Sequence, residues 1–332
     1  LLAFLIAQPE AQARRLLGAI LAIVTAYAAF GIAQELTGWR LSGSEAYRGD
    51  ITSTFVNRNH FATYANLGVV VALGFVLEPA LRGQVRHSEG FGVRLANTLG
   101  TVLEERRTAL IALVVLLLAS IGSASRGGIL SLLGAGVFIL VLLFLAGRAG
   151  RRTKTLALAA TLGVGGLLVW LTGDALLARF QGLLAADTLG EIDGRIAAWQ
   201  MTLAAIAERP LLGYGHGAYQ ELFFLHQTPE LGRAGVFDHA HNDYLQLAAE
   251  LGLPAAAALL LALLLLWGRC LRGVARRRGG LLYPLVGSAA TVLVALHAIT
   301  DFSLLMPAVA CTFAALLGIG CAQSRPRGAQ RH

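Results

Sequence analysis

The residues equipped for chemistry in this chain are arginines and histidines set among glycines, hydroxyls and amides. Arg126 sits in SASRGG (Ser123 to Gly128), Arg195 in DGRIAAW (Asp193 to Trp199), and His239 and His241 in DHAHNDYLQLAAELG (Asp238 to Gly252). Asn59 lies in NRNHF (Asn57 to Phe61), Tyr214 in LLGYGHGAY (Leu211 to Tyr219) and Asp301 in HAITDFS (His297 to Ser303). Two guanidiniums in fork geometry can neutralise a departing pyrophosphate where another enzyme would use a metal. A neutral histidine can take the proton from an attacking hydroxyl. Arg126, Arg195 and His241 supply these parts.

Each piece also has a plainer reading. Arg126 falls between two apolar stretches, where a charge costs a few kcal/mol unless paired or hydrated. Gly127 and Gly128 strip side chains from the turn, which would admit an anion to the backbone and to the start of the next helix; the alternative is an arginine that snorkels to the membrane interface. Asp193 is expected to cap a helix opening at Gly194, with Arg195 in its first turn, where a cation works against the helix dipole unless an anion is shared. A solvated helix end is the alternative. Ile196, Trp199, Leu203 and Ile206 recur at helical spacing, which predicts an amphipathic helix on the membrane surface.

Asp243 followed by Gln246 predicts an N-cap and its capping-box partner at the mouth of a long helix, with His241 and Asn242 directly before it. The positive end of that dipole disfavours imidazolium, which leaves a histidine free to act as a base. The rivals are a structural histidine pair and a zinc site built from Asp238, His239 and His241, although neither HxxxH nor paired cysteines accompanies them. GYGHGAY looks like a phosphate loop, but no apolar strand precedes it, so a glycine-rich turn after Pro210 is the better reading.

These motifs need elements to hold them, and composition says which. Of 332 residues, 56% are hydrophobic and 14% charged, and the mean hydropathy is +0.66. A soluble fold of this length needs roughly a quarter of its residues charged, so lipid must cover much of the surface. Eight stretches of about 20 mostly apolar residues can span a bilayer, near 16 to 36, 60 to 80, 108 to 124, 128 to 147, 155 to 172, 244 to 267, 281 to 300 and 303 to 321. The expected fold is all-α and polytopic, with spans 1 to 5 over residues 1–172, a long outer loop with short amphipathic helices over 173–243, and spans 6 to 8 with a basic tail over 244–332.

A net charge of +8 raises nucleic acid as a partner, but the basic residues punctuate apolar runs instead of sharing a groove. With eight spans, 19 of the 27 basic residues fall on one side, in clusters around Arg14, Arg106, Arg151, Arg276 and Arg327. By the positive-inside rule that side and the C-terminus are cytoplasmic, and every motif above faces the periplasm. Cys270, Cys311 and Cys321 show no disulfide framework. The opening at Leu1 inside an apolar stretch reads as a fragment whose earlier spans are missing.

A membrane enzyme with its site outside the cell has no nucleotide sugar to draw on, so its donor must arrive already activated. A polyprenyl-pyrophosphate-linked glycan is such a donor. The ordered set NRNHFATY, SRGG, GRxxxW, LLGYGHGAY, HAHNDYLQLAAELGLP and HxxxDFSLxMP resembles the O-antigen ligase and O-antigen polymerase superfamily over about residues 50 to 320. The resemblance implies a metal-independent glycosyltransferase of the bacterial inner membrane, without a cofactor. It would move a glycan from undecaprenyl pyrophosphate to an acceptor hydroxyl. Arg126 and Arg195 would hold the donor pyrophosphate, His241 would be catalytic, and His239, Asn242, Asn59, Tyr214 and Asp301 would support them. The first acceptor to consider is lipid A core, in lipopolysaccharide biosynthesis; repeat-unit or exopolysaccharide polymerisation is the alternative. A lipid-linked glycan transporter without chemistry is the rival from another class, and it would need ionisable residues at mid-membrane. GLPA replaces the motif's usual closing GxxG, and Pro254 is expected to kink its helix.

Overall fold

A computed structural model of the chain describes residues 1–39, 47–81, 100, 106–145, 186–227, 236–277 and 279–325. Eleven α-helices and no strand occur among them. They are α1 (Leu2–Ile6), α2 (Glu10–Thr37), α3 (Arg58–Leu81), α4 (Arg107–Gly122), α5 (Arg126–Leu145), α6 (Ala186–Glu208), α7 (Tyr219–His226), α8 (Asp243–Leu251), α9 (Leu253–Arg276), α10 (Leu282–His297) and α11 (Pro307–Ala322). Within α2, α3, α5 and α9 lie apolar stretches long enough to cross a bilayer, and α4, α10 and α11 are shorter apolar helices. The chain is an all-helical polytopic membrane protein. These seven helices answer seven of the eight expected spans; the eighth, 155 to 172, lies outside the described residues.

The sixth expected span differs in its start. The helix that opens at Asp243 stops at Leu251, and Gly252, with φ 78°, turns the chain before α9 begins. A side chain at Gly252 would collide with the carbonyl of Leu211, and Leu253 N donates to Pro210 O at 2.8 Å. Pro254 therefore stands in the first turn of α9, where its missing N–H costs nothing, and it starts a helix instead of kinking one.

In lipid, helices gain little from burying leucine against leucine, so close backbone approach and buried polar contacts hold a bundle together. The central helix is α10, with nearly every residue buried, packed on α3, α5, α9 and α11. A Cβ on Gly287 would stand 3.1 Å from the Cα of Gly320, so α10 and α11 cross with backbones in contact. By contrast α9 is mostly exposed along its apolar length and stands at the rim of the bundle, toward lipid.

The bundle has two chemically distinct ends. α3 carries Asn59 and His60 at its start and Glu78 near its finish. Glu78 takes Arg14 of α2 at 2.7 Å and Arg106, just before α4, at 3.2 Å. Arg269 donates to Cys321 O and Arg277 to Gln323, so four arginines from three segments share the end opposite Asn59.

On the Asn59 side, α6, α7 and α8 form a second small core of Met201, Ala205, Ile206, Tyr219, Leu222, Phe223 and Ala249. Here two expectations are corrected. α6 begins at Ala186, not Gly194, so Arg195 is well past its first turn and the argument from the helix dipole falls away. Its buried stripe is Ala198, Met201, Thr202, Ala205 and Ile206, whereas Ile196 and Leu203 of the expected apolar face point outward. The reason is that α7 and α8 pack on the Ala198–Ile206 stripe of α6, leaving Ile196 and Leu203 on its other side.

Candidate functional site

Four separate motifs meet at one turn, Ala298 to Phe302, which follows α10. The first is SASRGG. Ser125 caps α5 by accepting from Gly128 N at 3.1 Å, and its hydroxyl donates to Asn59 Oδ1 at 2.8 Å. Asn66 of α3 donates to Gly128 O at 2.8 Å. A Cβ on Gly127 would lie 2.9 Å from Thr300 Oγ1 and 3.1 Å from His297 Nε2, and one on Gly128 would lie 2.7 Å from Ala62 Cβ. The two glycines thus let α5 dock on α3 and on the end of α10; they do not clear a path for a ligand, which corrects that expectation. The docking fixes Arg126 at the first position of α5. Its side chain is half-buried and has no hydrogen-bond or ion-pair partner among the described residues.

The second motif brings Arg195, whose Nη1 donates to Thr300 O at 3.1 Å. Trp199, one turn on, donates from Nε1 to Ala240 O at 2.9 Å and so ties α6 to the third motif, HAHND. There Asn242, not Asp243, is the N-cap of α8: its Oδ1 accepts from Tyr244 N and Leu245 N. Gln246 makes no capping box, because its amide accepts from Ala240 N and donates to Glu250 and toward His239 Nδ1. A short amide between two loops is better satisfied there than over the helix end, and it sets the His239 ring.

His241 has φ 49°, a left-handed conformation that costs a non-glycine residue and that tends to gather at functional sites. Ala124, with φ 51° beside Arg126, is another of the three such residues among those described. The bend aims His241 Nδ1 at Asp301 Oδ1, 3.8 Å away, while His60 Nε2 approaches the same oxygen at 3.5 Å. These are ion-pair distances longer than hydrogen bonds. Nδ1 of His241 is buried, and the ring is about 20% exposed, so the accessible edge lies on its other side.

Asp301 is 1% exposed. Burial pushes its carboxyl up, but the imidazoles of His241 and His60 and the nearby His297 outweigh that and hold it below the usual carboxylate range. Phe302 packs between three imidazoles, with ring centroids 4.6 Å from His60, 4.0 Å from His239 and 5.0 Å from His241. The three rings surround an aromatic face instead of a common point, and no metal-binding group of three donors occurs among the described residues. Burial holds the His239 imidazole below its ordinary value.

Asp243, two residues after His241, answers oppositely. Burial, reinforced by the charge of Asp301, pushes its carboxyl up to about 7 despite a hydrogen bond from Leu304 N. Because the folded value lies above the unfolded one, the protonated acid contributes stability at low pH that is lost as pH rises through about 7. Asp243→Asn keeps the acceptor for Leu304 N and removes the charge. Its thermal midpoint in detergent should therefore gain on the wild type between about pH 4 and about 7 and run parallel to it above that; parallel curves across the whole range would show that Asp243 is ionised throughout.

The sequence missed His60, Thr300 and Phe302 as members of the site. His60 and Phe302 stood inside quoted motifs, but neither type at those spacings announced a shared cluster. Conversely, Tyr214 is not brought to it. Its hydroxyl reaches Glu208 at 3.3 Å and His226 at 3.2 Å, with Arg209 over its ring. The GYGHGAY segment is a turn, as the missing strand implied: Tyr214 N and Gly215 N donate to Ala249 O and Glu250 O, and Gly217 N to the Glu250 carboxylate. The amides of Tyr214, Gly215 and Gly217 thus serve the end of α8 and Glu250 instead of a phosphate. Beside the site, a cavity of about 400 Å³ runs from Asp243 and Glu250 down an apolar wall that includes Leu260, Leu263 and Val294, between α9 and α10.

No curated protein matches the chain. Residues 111–260 match a family model described as O-antigen ligase. The matched stretch contains Arg126, Arg195, His239 and His241, and the structure adds Asn59 and Asp301 from either side of it. Across that stretch the chain is similar to the O-antigen ligase family.

Proposed function

We propose that this protein transfers a glycan from undecaprenyl pyrophosphate to an acceptor hydroxyl at the periplasmic face of the inner membrane, with ligation to lipid A core the first acceptor. The observation that carries the reading is the convergence of Arg195, His241 and Gly127, the residue after Arg126, on the Thr300–Asp301 turn. Arg126 and Arg195 take the pyrophosphate, and the apolar cavity between α9 and α10 receives the chain of a lipid-linked substrate. The accessible nitrogen of His241, Nε2, accepts the proton of the acceptor hydroxyl. The hydroxyl oxygen bonds to the anomeric carbon as its bond to phosphate breaks, and the pyrophosphate leaves with the electron pair. Asp301 aligns the ring from behind, in the manner of a carboxylate orienting a histidine base. Asn59 positions Arg126 through Ser125, and His239 and Asn242 shape the loop that presents His241.

The test is transfer by the purified protein from an undecaprenyl-pyrophosphate glycan, offered lipid A core or a second carrier-linked glycan. Product on lipid A core establishes a ligase, and lengthening of the carrier-bound glycan establishes a polymerase. No product with either rejects this reading and leads to a transport assay. Because guanidiniums supply the positive charge, EDTA should leave the rate unchanged; inhibition that added zinc reverses would move the assignment to a metal held by His239 and His241.

A further inference from the structure

A second polar constellation lies at the other end of the bundle, far from His241. Arg14 of α2 and Arg106 before α4 both bind the single buried carboxylate of Glu78, at 2.7 and 3.2 Å. Two guanidiniums on one carboxylate leave a positive surplus. Arg106 also keeps its Nε buried without an acceptor among the described residues. In front of this pair, between α2, α3 and α4, opens a groove of about 520 Å³. It is lined by both arginines and by Leu21, Thr25, Phe75 and Ile111, and among the described residues no carboxylate contributes to its wall.

The dimensions restrict the occupant. Arg14 and Thr25 mark the two ends of the α2 wall, eleven residues apart, or about 16 Å at 1.5 Å per residue. That is about half the 30 Å hydrocarbon core, the depth of one leaflet. We infer that this groove is a binding site for an anionic phospholipid of the leaflet opposite the glycan site, with its phosphate on Arg14 and Arg106 and an acyl chain along α2 and α4. Charge complementarity selects the headgroup, since a zwitterionic lipid brings no net charge to the surplus, and basic pockets between spanning helices hold anionic headgroups elsewhere. Arginine suits the role because it can keep Glu78 on one edge of its fork and offer the other to phosphate.

Native mass spectrometry of the full chain in non-ionic detergent, titrated with phosphatidylglycerol or with phosphatidylcholine of the same acyl chains, tests this. The wild type should retain phosphatidylglycerol severalfold more than phosphatidylcholine. The triple substitution Arg14→Gln, Arg106→Gln and Glu78→Gln removes the surplus without stranding a buried charge and should abolish that preference. Ala22→Trp, at an exposed position on the groove wall, fills the groove while leaving the arginines in place, and it should lower retention of both lipids. Equal retention of the two lipids by the wild type, or unchanged phosphatidylglycerol retention in either variant, would overturn the inference.

Discussion

His241→Ala should lower the transfer rate by about 10² to 10⁴-fold, the usual worth of a positioned general base, while the protein still inserts and folds. The effect rests on geometry. A strained backbone holds the ring with one nitrogen buried against Asp301 and the other edge accessible, and loss of the ring removes both the proton acceptor and the reason for the strain. His239→Ala should cost far less, because that ring rests on Phe302 and is held by Gln246 without facing the carboxylate. A single-turnover assay of both variants checks the order, and a larger loss in His239→Ala would hand the role of base to His239. Asp301→Asn gives a third reading of the same site. As a positioning residue Asp301 should affect kcat with little change in KM, whereas a purely structural role would move expression and both constants together.

The sequence was most legible where physics acts locally. Apolar runs such as 128 to 147 read as spans, and the arginine clusters around Arg14, Arg106 and Arg276 share one end of the bundle because each stands where an apolar run starts or stops. The motif residues were legible as types and spacings, but their meeting point was not. The turn at Thr300 and Asp301 becomes a hub only because α10 is the central helix, and no local pattern reveals which helix is central. The same limit explains the other misses. Asp243 looked like a cap because capping boxes are read from spacing, whereas Asn242 won the position once Ala298 O claimed the N–H of Asp243 and Leu304 N its carboxylate. Gly127 and Gly128 looked like an anion cradle, and they are where α5 touches α3 and His297. Tyr214 shared a motif with glycines whose work is to end α8.

Arg126→Ala should reduce turnover by about 10² to 10³-fold, the range seen when one donor to a developing negative charge is removed. The prediction is sharpened by what Arg126 does not do. It makes no hydrogen bond or ion pair among the described residues, so its removal strands no buried partner, and the thermal midpoint should stay at the wild-type value. A half-buried, unpaired guanidinium at the edge of a bilayer is costly to maintain, and an anion that arrives with the substrate is a reason to keep it. Arg195 is different, for it also holds Thr300 O, so Arg195→Ala should lose comparable activity and lower the thermal midpoint as well. Lysine at position 126 separates charge from shape: it restores the charge without the fork, so Arg126→Lys should recover part of the rate and none of the bidentate hold. Near wild-type turnover in Arg126→Ala, with the fold intact, would remove this arginine from the chemistry and return it to the membrane interface.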